Sequence, residues 1–139
     1  MMRTALLTGL VLVLALLASC SGEGDAPCPD QTEQFVRYEL FMGRSGPDGE
    51  VVSDEEWEAF LADTVTPRFP DGLTVLDGRG QWRDSAGLVQ RERSKLLVIL
   101  ALPGDGPAGL IGEISDGYKR RFSQESVLRV VSEACVSFD

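Results

Sequence analysis

The chain has 139 residues, a length that suits one folded domain, and its 43% hydrophobic and 25% charged residues indicate a globular protein. The formal net charge of −9 argues against broad binding to nucleic acid or anionic lipid, because both require clustered lysine and arginine. The sequence contains no histidine, which excludes every catalytic triad and metal site that depends on an imidazole.

Residues 1–19 have the pattern of a bacterial lipoprotein signal peptide. Arg3 precedes a largely apolar run from Ala5 to Leu17, which is too short to span a bilayer comfortably. The run ends in "LASC", which resembles the lipobox, where the peptide is cut before the cysteine and that cysteine is acylated. We therefore expect lipidation of Cys20 and attachment to the non-cytoplasmic side of the bacterial cell envelope, periplasmic or outer. The alternatives are a plain signal peptide or a membrane anchor.

The segment that follows the signal has the composition of a tether. Residues 20–33 are small, polar and rich in proline and glycine, without any apolar period. We expect them to link the anchor to a single α+β domain at residues 34–139.

Two further cysteines are expected to pair. Cys28 and Cys135 would both face an oxidising compartment, where a disulfide is the usual outcome. Their separation is unlike a CxxC redox motif, and the alternative is a pair of free or reactive thiols.

The first half of the domain reads as a strand followed by a helix. Residues 34–44 alternate apolar and polar side chains, which is typical of a β-strand. Ser53 and Glu56 form a capping-box pattern, and Pro67 ends the helix that follows. Its apolar stripe falls at helical spacing, at Trp57, Phe60, Leu61, Thr64 and Val65.

The second half predicts two strands, a helix and a last strand. Residues 69–84 form the second strand, 85–87 a hairpin turn, and 91–102 a central third strand. Residues 103–122 carry helical periodicity, and 126–138 form the last strand. The order β-α-β-β-α-β predicts a ferredoxin-like fold, a four-stranded antiparallel sheet with two helices on one face. The first and last strands are then neighbours, which agrees with a bond between Cys28 and Cys135.

Several stretches, among them "SDEEWEAFLADTVTPRFPDGLTVLDGRGQW", "SKLLVIL" and "YKRRFSQESVLRV", resemble a bacterial family of secreted or lipid-anchored proteins, the domain-of-unknown-function family 3574. The resemblance covers Tyr38 to Phe138. It implies export and supports the domain boundaries, and it carries no catalytic residues, because the family has no established activity.

Basic residues from several connections are predicted to meet at one end of the sheet. In so acidic a chain they would form an anion site for a carboxylate, phosphate or sugar acid, built from Arg44, Arg79, Arg83, Arg120 and Arg121, with Lys119 beside them. The alternative is that the basic residues in the last helical turn only satisfy the helix carbonyls and dipole.

The "DGRGQW" stretch of the second strand predicts a groove lined by Glu39, Asp77, Gly78, Gly80, Gln81 and Trp82. Regular alternation would turn Asp77, Arg79 and Gln81 towards the helices, whereas a bulge would turn them outwards. No helix follows the glycines and no Gly-Lys-Ser/Thr is present, so we expect no nucleotide or other cofactor. We also expect no metal, because there is no histidine, the thiols are expected to be oxidised, and "PDGE" and "PDGL" lack the spacing of a calcium-binding EF-hand.

The sheet face away from the helices predicts a partner surface. Phe41, Leu97, Ile99 and Val131 were expected there, and a homodimer through this face is the predicted interaction. An envelope protein or a small anion is the other predicted partner.

Two functions from different classes remain open at this point. One is a non-enzymatic binding or interaction module anchored through Cys20. The other is a small histidine-independent enzyme acting on an anionic small molecule, with acid–base work at Glu39, Asp77 or Tyr118.

Overall fold

A computed structural model of the protein describes residues 28–45, 49, 52–84 and 86–139. The predicted signal peptide, Cys20 and most of the predicted tether lie outside these residues. The elements in chain order are β1 (Glu33–Gly43), α1 (Asp54–Phe60), a π-helical turn (Leu61–Val65), β2 (Thr74–Arg83), β3 (Val89–Ala101), α2 (Asp105–Phe122) and β4 (Leu128–Val136).

The strands form one antiparallel sheet in the order β2-β3-β1-β4. The predicted α+β class, with four antiparallel strands and two helices, is confirmed, and β1 and β4 are neighbours as expected. The ideal ferredoxin-like layout is not met, because the first helical unit is a seven-residue α-helix that continues as a five-residue π-helical turn.

Local chemistry explains where α1 begins. The Ser53 hydroxyl accepts the Glu56 N–H, and the Glu56 carboxylate accepts the Ser53 N–H, so the predicted capping box is present. At the other end, the Thr66 N–H donates to the Leu61 carbonyl, five residues back, and the chain turns away around Pro67.

The core lies between one face of the sheet and the two helices. Alternate residues of β1, Tyr38, Leu40 and Met42, are buried against Leu97 and Ile99 of β3. The helices contribute the other side of this core, from Trp57, Phe60, Val65, Ile111, Ile114 and Tyr118. Burial of each such side chain contributes about 1.5–3 kcal/mol to the free energy of unfolding, and this packing holds the helices against the sheet. We call the sheet face that they cover the inner face.

The prediction of an apolar patch on the opposite face, which we call the outer face, is wrong for three of its four residues. Leu97 and Ile99 are completely buried in the core, and Val131 lies across from Tyr38 on the inner face. Of the four, Phe41 is on the outer face, because it is one residue out of phase with Leu40.

The disulfide predicted between Cys28 and Cys135 is present, with the Cα atoms 5.5 Å apart. It joins the segment before β1 to the end of β4, where Gln34 lies opposite Cys135.

Candidate functional site

The β2–β3 hairpin is regular along its whole length. Pairing runs from Thr74 opposite Val98 to Arg83 opposite Val89, and every residue between them has one partner on the other strand. The hairpin therefore contains no bulge. Asp77, Arg79 and Gln81 therefore share a face with Val75 and Leu97, the inner face. All three side chains are exposed, because this half of the hairpin extends beyond the helices.

An open cavity of about 420 Å³ lies on this extension of the hairpin and is lined by Arg79, Gly80, Gln81, Arg91, Glu92 and Arg93. We call it the hairpin groove. On the inner face Arg79 is directly opposite Arg93, and Gln81 is opposite Arg91. Glu92 points the other way, and its carboxylate lies over Gly43 and accepts the Ser45 N–H.

The facing arginines, Arg79 and Arg93, are a like-charge pair that Asp54 compensates only in part, through Arg93. Cross-strand neighbours have Cβ atoms about 4.5–5.5 Å apart, and like charges there are destabilising. Among the described residues, no carboxylate lies at ion-pair distance from Arg79 or Arg91, and Arg93 reaches Asp54 only at 3.9 Å. Within the described residues, the groove therefore presents the guanidinium groups of Arg79 and Arg91 without a paired carboxylate.

The next pair of residues on the inner face, Asp77 and Lys95, carries opposite charges. Lys95 Nζ lies 2.7 Å from Asp77 Oδ1 and 3.7 Å from Asp54 Oδ1. Lys95 is only 7% exposed and sits 5.9 Å from the centre of the Trp57 ring, a cation–π arrangement. Asp77, predicted as part of a ligand groove or as an acid–base group, is thus the counter-ion of a buried lysine.

Arg44 is the innermost charge of this region. It is 1% exposed, its Nη1 lies 2.8 Å from Asp54 Oδ1, and its Nε–H donates to the Val52 carbonyl at 2.6 Å. The pKa of the Asp54 carboxyl is held below its usual range, first by its contact with Arg44 and then by the charges of Lys95 and Arg93. Arg44 therefore joins β1 to the start of α1.

The groove and these ion pairs together are strongly basic for this protein. Among the described residues, five cations face three carboxylates, a surplus of two positive charges in a chain with a net charge of −9; they are Arg44, Arg79, Arg91, Arg93 and Lys95 against Asp54, Asp77 and Glu92. The field at this end of the hairpin therefore attracts anions.

The structure does not bring the five predicted anion-site arginines together. Arg44 is buried in its ion pair, and Arg83 lies at the tip of the hairpin, where it donates to the Gly87 carbonyl. Arg121 lies near Asp63 on the π-helical turn, and Arg120 is exposed near the end of α2. Of the predicted set, Arg79 alone lines the groove.

Lys119, expected beside that set, instead pairs with Asp116 within α2 at 2.8 Å. Lys119, Arg120 and Arg121 lie in the last turn of α2, where cations favour the helix dipole, and two of them have carboxylate partners.

The predicted groove residues are divided between the two sheet faces. Gly78, Gly80 and Trp82 alternate with the inner-face residues and so belong to the outer face. Open space surrounds Gly80, whereas a Cβ at Gly78 would collide with the Ser94 hydroxyl. Glu39 is also on the outer face, paired with Arg37, so it shares no site with Asp77.

Three basic residues of the site were missed from the sequence. Arg91, Arg93 and Lys95 alternate along "RERSK", and their period of two already placed them on one face. The sequence predicts this segment only as the start of a central strand, and the register that places it opposite Asp77, Arg79 and Gln81 is seen in the structure alone.

The three candidate acid–base groups are also apart. Tyr118 is buried in the core, and its hydroxyl donates to the Gly43 carbonyl at 2.8 Å. Burial raises the pKa of this phenol far above its ordinary value. Glu39 lies on the outer face, and Asp77 is paired with Lys95. In the part of the chain that the structure describes, none of the three groups lines the open cavity.

In the described part of the chain, no three acidic or cysteine side chains stand close enough to share a metal ion. No helix in that part is both long and apolar enough to cross a membrane.

Two solved structures resemble the fold. A phage SAM lyase in complex with S-methyl-5'-thioadenosine is 16% identical, with a TM-score of 0.58, over 75% of this chain and 90% of that chain. A phage SAM lyase in the apo state is 18% identical, also with a TM-score of 0.58, over 76% and 91% of the two chains. At this identity the likeness concerns the fold. No curated protein matches the sequence.

A family model described as "Protein of unknown function (DUF3574)" matches residues 37–138, which include every described strand and helix except the first four residues of β1. The chain therefore belongs to the DUF3574 family.

Proposed function

We propose that this protein is an envelope lipoprotein, anchored through Cys20, whose domain binds an anionic group in the hairpin groove. The observation that carries the proposal is the placement of Arg79 directly opposite Arg93, with no carboxylate of the described residues at ion-pair distance from Arg79. An acidic protein that keeps an unfavourable cation pair at one place gains from it when a ligand supplies the missing negative charge.

The chemistry of the groove favours a carboxylate or a phosphate. Guanidinium groups present several N–H donors in a fixed plane and bind such oxyanions bidentately. Arg79, Arg91 and Arg93 surround the cavity, and the Gln81 amide adds an uncharged donor opposite Arg91. The ligand can belong to a small molecule or to an acidic side chain of an envelope protein, since the groove is open to solvent.

Binding is favoured over catalysis by the state of the nearest carboxylates. Asp77 is paired with Lys95 at 2.7 Å, and the pKa of Asp54 is lowered by Arg44, so both carboxylates are engaged by cations of the fold. A carboxylate in that state is a poor general base. The enzymatic alternative would need an acid–base group supplied from outside this set.

The anchor is a separate part of the proposal. The lipobox pattern at residues 17–20 and the tether composition of residues 20–33 support a domain held near a membrane without a spanning helix. Placed there, a single binding groove would act on ligands or proteins of the envelope.

Isothermal titration calorimetry with inorganic phosphate and with glutarate tests the binding. We expect Arg79→Ala and Arg93→Ala each to weaken binding about ten-fold, because hydrogen bonds to charged groups contribute about 1.5 kcal/mol or more. Arg120→Ala is the matched control, an exposed arginine outside the groove. S-methyl-5'-thioadenosine, the ligand of the similar phage structure, is the uncharged comparison.

Equal losses from Arg79→Ala and Arg120→Ala, or no heat with either anion at millimolar concentration, would contradict the proposal. Binding of the uncharged thioadenosine in preference to the anions would also contradict it, because the groove would then not select for negative charge.

A further inference from the structure

Strand β4 is an edge strand that exposes apolar side chains on both of its faces. Among the described strands it pairs only with β1. Leu128 and Val130 are 62% and 40% exposed on the outer face, while Val131, on the inner face, is 53% exposed because neither helix covers it. Apolar residues on both faces are typical of strands inside a sheet, and an uncovered edge of this kind is a template for pairing with another strand.

The order of side chains on β4 identifies what it can pair with. Along the inner face the strand presents Arg129, Val131 and Glu133, which lie opposite Leu40, Tyr38 and Val36 of β1. Within the described residues neither Arg129 nor Glu133 takes part in an ion pair. A basic, an apolar and an acidic residue at equal spacing form a pattern that is complementary to itself when the strand direction is reversed.

We propose that β4 pairs with β4 of a second copy of this chain, antiparallel, about a two-fold axis at Val131. This register places Arg129 opposite Glu133 of the partner subunit and Val131 opposite the same residue of the partner. On the outer face it places Leu128 opposite Ala134 of the partner subunit and Val130 opposite the partner's Ser132. The two sheets then form one eight-stranded antiparallel sheet with all helices on the same side.

Neighbouring registers lack this complementarity. Directly opposed residues of two paired strands must lie on the same face of the sheet. The two-fold axis must therefore pass through a residue and not between two residues, so the neighbouring registers have their axis at Val130 or at Ser132. Moving it to Ser132 places Arg129 opposite Cys135 of the partner subunit, and moving it to Val130 places Glu133 opposite the partner's Val127. The axis at Val131 is therefore the register that joins opposite charges twice, once on each side of the axis.

This dimer differs from one formed through the outer face. Edge pairing uses the free N–H and C=O groups of β4 and buries Val131, which face-to-face packing would leave exposed. The hairpin groove is at the opposite edge of the sheet, since β2 and β4 are the two ends of the strand order. Each copy therefore keeps its own open groove, and the inference does not depend on what the groove binds.

Cysteine cross-linking of the full-length, membrane-anchored protein tests the register. Opposed Cβ atoms about 4.5–5.5 Å apart are close enough for a disulfide after a small adjustment, so Val131→Cys should give an oxidised dimer on non-reducing electrophoresis. Leu128→Cys is the matched control. Leu128 is also exposed and apolar, but in this register it lies about 20 Å from Leu128 of the partner subunit.

Charge reversal then tests the pairing. In the Val131→Cys background, Arg129→Glu should reduce the initial rate of cross-linking at least about ten-fold, since it creates two like-charge contacts. Adding Glu133→Arg should restore the rate.

A monomer from Val131→Cys, equal cross-linking of Leu128→Cys, or failure of the double exchange to restore the rate would overturn the proposal. Attachment of Val131→Cys to a different protein instead of a second copy would overturn it as well.

Discussion

Removing the disulfide is the most informative perturbation of the fold. Replacing Cys28 and Cys135 together by alanine avoids leaving a lone thiol and deletes the one covalent tie between the start of β1 and the end of β4. The bond closes a loop with a sequence separation of 107 residues, almost the whole domain. We expect a large loss of stability without a change of fold, because the sheet pairing between β1 and β4 is itself continuous from Glu33 to Phe41.

The magnitude follows from the loop length. In the chain-entropy model a loop of about 100 residues contributes about 4–5 kcal/mol to the free energy of unfolding, through restriction of the unfolded chain. With a urea m-value of about 2 kcal/mol/M, the unfolding midpoint should fall by about 2 M. Since domains are stable by about 5–15 kcal/mol, the variant stays folded near room temperature.

Urea unfolding followed by circular dichroism measures this change. The reduced wild-type protein is the natural control and should unfold at the same urea concentration as the double variant. A loss below about 1 kcal/mol, or a reduced wild type that unfolds like the oxidised one, would refute the view that the bond acts on the unfolded chain.

Three further predictions concern single side chains. Tyr118→Phe removes the hydroxyl that donates to the Gly43 carbonyl and should lower the free energy of unfolding by about 1 kcal/mol in urea titrations, more than the control Tyr38→Phe. The pKa of Asp54 is lowered in the folded state, so its stabilisation is present above the unfolded value near 3.8 and is lost as the pH falls; Asp54→Asn should show a shallower acid-induced loss of stability, and an unchanged slope would contradict this. Cys20→Ala should move the protein from the membrane to the soluble fraction of cells, and persistent membrane association would contradict the lipobox assignment.

The elements of the fold were predictable because their signals are local. Alternation places β1 within one residue of its observed ends, and the Ser53–Glu56 pair fixes the start of α1. The π-helical turn was not predictable, because Leu61–Val65 carry ordinary helical spacing, and the change from an i+4 to an i+5 hydrogen bond has no signature in those residues.

The candidate site was only partly predictable, for a different reason. Which residues face each other depends on the register between strands, and the register of β2 and β3 is set by a turn in which Asp84 accepts the Ala86 and Leu88 N–H groups. The sequence shows that Arg79 and Arg93 are basic, but it takes that register to place them opposite each other. Arg44 reads as a surface residue after a strand, and only the packing of α1 shows that it is buried.

Chemical-shift mapping is the measurement that tests the central claim most directly. Inorganic phosphate is titrated into ¹⁵N-labelled protein carrying Cys20→Ala, and the amide and arginine Nε signals are followed. The hairpin groove predicts saturable shifts confined to Arg79, Gln81, Arg91 and Arg93, and their loss in Arg79→Ala. Shifts centred on the end of α2 around Arg120, or unsaturable shifts over all arginines, would contradict it.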